Sequence, residues 1–286
     1  MTGPIKQIFR YPVKSMDGEI LNVAELGSWG IPGDRAWTVK DEQRGGIKGG
    51  KRFPQLMAMK AKYLEQPDAD TPSPVVEITL PNDQLVKSND NDINQRLSDA
   101  VGSPLSLWPL LPKEQLDHYR RSPPPPGTDF EASLRETFAR TADEPLPDLS
   151  AFPSALFEYE SPPGTYFDAY PILLMSTGAL ETLATQSSGD SNYDIRRFRP
   201  NLLVDLPGTF PENQWVGQLI QIGSVKLKVE MPCPRCIMTT HGFRDLAKDP
   251  TVMRELVKQN NGDLGVYCSV AEPGKLKIGD NVELVD

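Results

Sequence analysis

Histidine and cysteine are both scarce, two and three residues respectively in a chain of 286, and each shortage narrows the chemistry. His118 and His241 stand in no Ser-His-Asp order and in no metalloprotease spacing, so neither common hydrolase pattern is present. Three cysteines cannot frame a disulfide-stapled fold, and two of them sit only three positions apart, which fits a reducing compartment and predicts a cytoplasmic protein. Long apolar runs are also missing. Pro171-Ile172-Leu173-Leu174-Met175 falls far short of the ~20 residues that cross a bilayer, and no basic segment precedes an apolar stretch at the N-terminus, so no membrane partner is expected. Thirty Lys and Arg against 39 Asp and Glu leave a net charge of -9, which argues against nonspecific nucleic-acid binding, because that affinity comes from neutralising phosphates. There is no glycine-rich nucleotide loop. Arg196, Arg197 and Arg199 nonetheless cluster, so a small anionic ligand stays open.

What is present is an ordinary globular composition, 38% hydrophobic and 24% charged. Strand patterns are predicted at Ile5 to Tyr11, Ala36 to Val39, Leu56 to Tyr63, Val75 to Leu80 and Gln84 to Lys87, with a short helix from Asp92 to Val101 stopped by Gly102. Residues 112–163 change character. The run Pro123-Pro124-Pro125-Pro126-Gly127 and the later prolines predict a loop-rich excursion with a short helix between Asp129 and Arg140. Regular structure resumes with strands at Pro171 to Met175, Asn201 to Val204, Leu219 to Glu230 broken at Gly223, Val266 to Ala271 and Asn281 to Val285. Helices are expected at Gly178 to Thr185, capped by Ser176 or Thr177, and at Pro250 to Lys258, with turns at Pro273-Gly274-Lys275 and Gly279-Asp280. Short strands outnumber helices, so the fold class is mainly β (α+β), barrel-like with peripheral helices.

Four constellations could carry chemistry. Met231-Pro232-Cys233-Pro234-Arg235-Cys236 sets two thiols beside a guanidinium, and a positive neighbour favours a thiolate over a thiol that ordinarily titrates near ~8.5, so Cys236 is expected to deprotonate easily. Buried packing, a reactive or metal-binding thiolate, a redox dithiol and a zinc half-site completed by Cys268 and His241 all remain open, although the last spacing matches no common zinc module. Tyr11-Pro12-Val13-Lys14-Ser15 offers an ammonium and a hydroxyl to an anion, or else a solvated loop lysine. Gly33-Asp34-Arg35 can close on itself as a salt bridge. In Arg197-Phe198-Arg199-Pro200-Asn201 an extended backbone would aim two guanidinium groups one way.

These segments, together with Gly33-Asp34-Arg35-Ala36-Trp37 and Leu174-Met175-Ser176, occur in the order seen in MOSC-domain proteins. The chain resembles those with an N-terminal MOSC β-barrel domain, such as the mitochondrial amidoxime reducing component and its bacterial relatives. The resemblance implies a smaller β-rich domain over residues 1–108, a proline-rich connection over 109–165 and a MOSC core over 166–286. It also implies a molybdenum cofactor, a Mo-pyranopterin, with Cys236 as metal ligand and catalytic residue, and Lys14, Ser15, Arg35, Ser176, Arg199, Asn201 and Arg235 holding the pterin and its phosphate. Thr239 and Thr240 are expected to support Cys236. The implied activity is oxygen-atom transfer from an N-hydroxylated, amidoxime-like, or other N- or S-oxygenated small molecule. Electrons would come from a separate donor protein, cytochrome b5-like or a ferredoxin or flavin reductase, because cysteines are too few for an iron-sulfur site beside the metal ligand. Sulfur transfer through a cysteine persulfide, and cofactor carriage without turnover, are the alternatives. Substrate selection is expected in the proline-rich segment.

Overall fold

The alternation in Val225–Pro234 turns Val225, Leu227, Val229 and Met231 inward and Lys226, Lys228 and Glu230 outward, as a half-buried strand requires. In the computed structural model, which describes residues 2–68, 71–187 and 189–285, this strand belongs to a closed ring of seven. In order the ring runs Leu202–Val204, Ile172–Ser176, Asp263–Glu272, Val225–Pro234, Leu219–Ile222, Asn281–Val285 and Gly3–Arg10, which returns to Leu202–Val204. Closure leaves no free sheet edge in the ring, and its interior is packed with Ile5, Ile8, Leu174, Val204, Ile220, Leu227 and Val266. Ile172–Ser176 is buried on both faces because helices Thr177–Gln186 and Thr251–Asn260 cover the outside through Ala179, Leu183, Val252 and Leu256.

A smaller body stands beside the ring. Trp37–Asp41 pairs with Ile47–Lys48 and Leu105–Pro109, Lys60–Tyr63 with Val76–Thr79 and Val76–Thr79 with Leu85–Lys87, and helix Ile93–Val101 closes their common core. The segment 1–108 expected as the first domain contributes residues to both cores. Gly3–Arg10 is a strand of the large ring, Val13 and Met16 pack in the smaller core, and Ala24, Leu26 and Ile31 return to the larger one. Strand pairing across some two hundred positions decides this, and no local pattern records it.

Other differences are local. The first half of the strand expected over Leu56 to Tyr63 is a 3-10 turn, Pro54–Ala58, with proline at its start. The turn expected at Pro273-Gly274-Lys275 leads into strand Gly274–Lys277, paired with Val23–Leu26. Its only buried residue is Leu276, which leaves too little alternation to read. The proline-rich excursion holds the expected helix as Phe130–Thr137, with Asp129 accepting from the Ala132 amide. Its far end is anchored where Arg140 lies across Gly262, whose φ is +85° and where a Cβ would come within 2.1 Å of the guanidinium. No helix among the described residues is long and apolar enough to cross a membrane.

Candidate functional site

Three of the residues singled out in the sequence share an uncommon backbone. Ser15, Arg35 and Arg199 have φ of 72°, 52° and 56°, and only four other non-glycine residues among those described are positive. Left-handed backbone costs an L-residue ~1–2 kcal/mol, so its persistence means that the surroundings over-determine it. The Arg35 amide is bonded to the Tyr11 carbonyl at 2.6 Å, the Arg199 amide to Ile195 at 3.1 Å, and Ser15 Oγ accepts from the Gly50 amide at 2.8 Å.

These turns converge on one cleft where the two bodies meet. Arg35, Arg199, Asn201, Arg235 and Cys236 line it, with Asp168, Phe198, Cys233, Met238 and Tyr267. Cys236 opens the 3-10 turn Ile237–Thr240. Its carbonyl accepts from Thr239 N at 3.1 Å and Thr239 Oγ1 at 3.0 Å, so the backbone is fixed while the half-buried thiol stays free. The Arg235 guanidinium goes to the other cysteine. It donates to Cys233 Sγ at 3.1 Å and to the Phe198 carbonyl, and Cys233 is 1% exposed, where burial pushes its thiol up against the pull of Arg235. The guanidinium expected to favour a thiolate at Cys236 is therefore bonded to Cys233.

Arg199 lies with its guanidinium carbon 4.2 Å from the Tyr11 ring centre and donates to the Met16 carbonyl. Burial, helped by Arg35, lowers its pKa to about 10, and no carboxylate bonds it among the described residues. Its Nη2 and the Nε of Arg235 are buried without a hydrogen-bond partner. A buried donor left unpaired costs ~1–3 kcal/mol, so these two atoms mark where an acceptor belongs. Two further cations are already compensated. Arg35 pairs with Asp34, and Lys14 Nζ lies 2.7 Å from both Asp168 Oδ1 and the Tyr166 carbonyl.

Two expectations change. Residues Ile195–Arg197 form a 3-10 turn, so Arg197 and Arg199 do not fork from an extended strand. Arg197 spends its guanidinium on the carbonyls of Asn192, His241 and Ala247. Ser176 is fully buried away from the cleft lining, where its Oγ caps the helix at Ala179 and bonds Glu212. Lys14 and Ser15 sit beside the cleft through Asp168 and the Gly50 loop. Cys268 lies in the barrel core, and no three His, Cys, Asp or Glu side chains among the described residues form a metal set. Sequence reasoning missed Asp168 and Tyr267, single residues in segments without a motif.

Asp263, at the head of its strand, is pushed up to about 6 by burial against the pull of Arg140 and Arg235. Between an unfolded value of ~3.9 and that folded value the native chain keeps a proton the unfolded chain has lost. This contribution is complete below about pH 4 and is lost as pH rises through about 6. Asp263→Asn is expected to flatten that loss, so that its gain in thermal midpoint over wild type grows from about pH 4 to 6 in parallel melts. A constant difference would show that Asp263 does not titrate there.

Residues 162–283 match the family model of the MOSC domain, and residues 2–103 that of the MOSC N-terminal beta barrel domain. The chain is 27% identical over 307 residues to mitochondrial amidoxime reducing component 2 of Bos taurus, covering 98% of this chain and 82% of the relative. Identity to the protein of the same name from Homo sapiens is 28% over 311 residues, with 98% and 83% covered. Among solved structures, the YUAD protein from Bacillus subtilis aligns with a TM-score of 0.44 at 12% identity, over 99% of this chain and 96% of that one.

Proposed function

The chain belongs to the MOSC-domain family, with a MOSC N-terminal beta barrel domain ahead of the MOSC domain, and from that premise we propose that it is a molybdenum-cofactor-dependent reductase of N-oxygenated small molecules. The observation that carries this reading is the cleft's uncompensated positive charge beside a free thiol. Arg199 and Arg235 each direct an unpaired buried nitrogen where an anionic pterin phosphate would accept it, and Cys236 offers the soft donor such a metal takes. The donor set fits. Cys236 would ligate the metal, Arg199 and Arg235 would bond the anionic part of the cofactor, and Lys14, Ser15, Arg35 and Asn201 would frame it from the left-handed turns and their partners. Ser176 would act only through the helix it caps.

When bound, the cofactor supplies a redox-active metal that exchanges an oxygen atom. In the overall conversion an N–O bond breaks, two electrons and two protons enter, and water leaves. The residues of the cleft supply binding and orientation. Asp168 is held far below the usual carboxylate range, burial being outweighed by Lys14 and Lys51, so it stays ionised and positions cations rather than donating a proton. Tyr267 is raised well above the usual range by burial and by Cys233, to which its hydroxyl is hydrogen-bonded, so it stays protonated in the cleft wall. Electrons would come from a separate protein, cytochrome b5-like or a ferredoxin or flavin reductase. The three free cysteines support a reducing compartment such as the cytoplasm.

Protein purified from a host that makes the molybdenum cofactor is expected to carry about one molybdenum per chain and, once chemically reduced, to convert an amidoxime to its amidine. Zinc in its place, or molybdenum without turnover of any N-oxygenated probe, would overturn the reductase reading.

A further inference from the structure

Lys51 stands beside the cleft, next to a glycine packed on its lining residue Met238, at a place no motif announced. It follows Gly49 and Gly50, and both glycines are needed for contact rather than for turning. A Cβ at Gly49 would lie 2.5 Å from Ser15 Oγ, and one at Gly50 would lie 2.8 Å from Met238 Cε. The Gly50 amide is bonded to Ser15 Oγ at 2.8 Å, and the amides of Arg52 and Phe53 both return to the Gly49 carbonyl at 2.9 Å. The loop is therefore clamped between Ser15 and Met238, two positions beyond Cys236, and it carries Lys51 within reach of the charges of Cys236 and Asp168. Although crowding by the cleft pulls its pKa down, Cys236 and then Asp168 outweigh this and the net shift is upward, so the ammonium is charged at neutral pH.

The neighbouring charges leave Lys51 unspent. Asp168 is bonded to Lys14, and the carboxylate of Glu160 is taken by Lys48 and Arg121. Arg199 and Arg235 are buried in the wall, whereas Lys51 is exposed. Buried cations can hold a resident group; an exposed one beside the cleft meets what arrives from solvent.

We propose that Lys51 is a specificity-determining residue that favours substrates carrying a carboxylate or similar negative group near the N–O function. The inference rests on the reductase reading for the identity of the substrate's reacting end. It places part of the selectivity on the smaller body rather than in the proline-rich excursion.

The test uses the full molybdenum-loaded chain and two probes, neutral benzamidoxime and 4-carboxybenzamidoxime. In Lys51→Glu the ratio of KM for the carboxylate probe to KM for the neutral one is expected to rise about tenfold or more, with Lys51→Gln intermediate and Lys51→Arg near wild type. Calorimetric titration of the product, 4-carboxybenzamidine, into the oxidised holoprotein should give the same ranking of Kd. Equal changes for both probes, or no ranking in Kd, would overturn the role of Lys51. If wild type turns over neither probe, the reductase reading fails while the titration still decides whether Lys51 selects for negative charge.

Discussion

Cys236→Ser protein, purified beside wild type, is expected to melt within a few degrees of it yet to hold almost no molybdenum and to lose amidoxime reduction by more than ~100-fold. Residues that merely support a metal ligand typically cost 10–100-fold when removed, and the ligand itself costs more. Cys236 is half-buried, and its neighbours are fixed by bonds to its carbonyl rather than to its thiol, so the turn Ile237–Thr240 survives the change. Cys233→Ser is the control. Serine keeps an acceptor for the Arg235 guanidinium, which sits 3.1 Å from Cys233 Sγ, and molybdenum should be retained. The two cysteines are three apart in sequence, and elemental analysis of the pair of variants separates them. Retained metal and turnover in Cys236→Ser would remove the thiolate from the mechanism.

Asp34→Ala should produce the largest loss of stability of any single change at the cleft, ~3–5 kcal/mol in urea unfolding. The Asp34 carboxylate is fully buried and accepts from the Tyr11 amide at 2.8 Å, from Asn201 Nδ2 at 3.0 Å and from the Arg35 guanidinium. Removing it strands a buried cation, a backbone donor and an amide together. It also frees Arg35 to leave its left-handed backbone at φ 52°, so cofactor retention should fall with stability. Asp34→Asn keeps an acceptor and should lose less. A loss below ~1 kcal/mol for the alanine variant would mean that the three donors find water instead.

Much of the site was legible because its parts lie in short contiguous segments. Arg35 follows the Gly33-Asp34 turn, Arg235 and Cys236 are adjacent, and Arg199 and Asn201 are two apart, so their order along the chain could be compared with a family. Asp168 and Lys51 were illegible, since a lone aspartate and a lone loop lysine have no pattern until the fold puts the first on Lys14 and the second within reach of the charge of Cys236. Ser176 suited both a helix cap and a cofactor contact. The orientation of its strand decided for the cap, turning Oγ to Ala179 and Glu212.

The sequence by itself determined the mainly β class, the strand-helix unit from Ile172 to Gln186, the hairpin Leu219–Ile222 with Val225–Pro234 and the helix stop at Gly102, because period-two alternation, caps and left-handed glycine act within a few residues. Only the tertiary structure decided that Gly3–Arg10 closes the large ring against Leu202–Val204, and that Arg235 bonds Cys233 while Cys236 stays free. Pairing and convergence of this kind bring together groups far apart in the chain, and their free energy depends on packing that no local window contains.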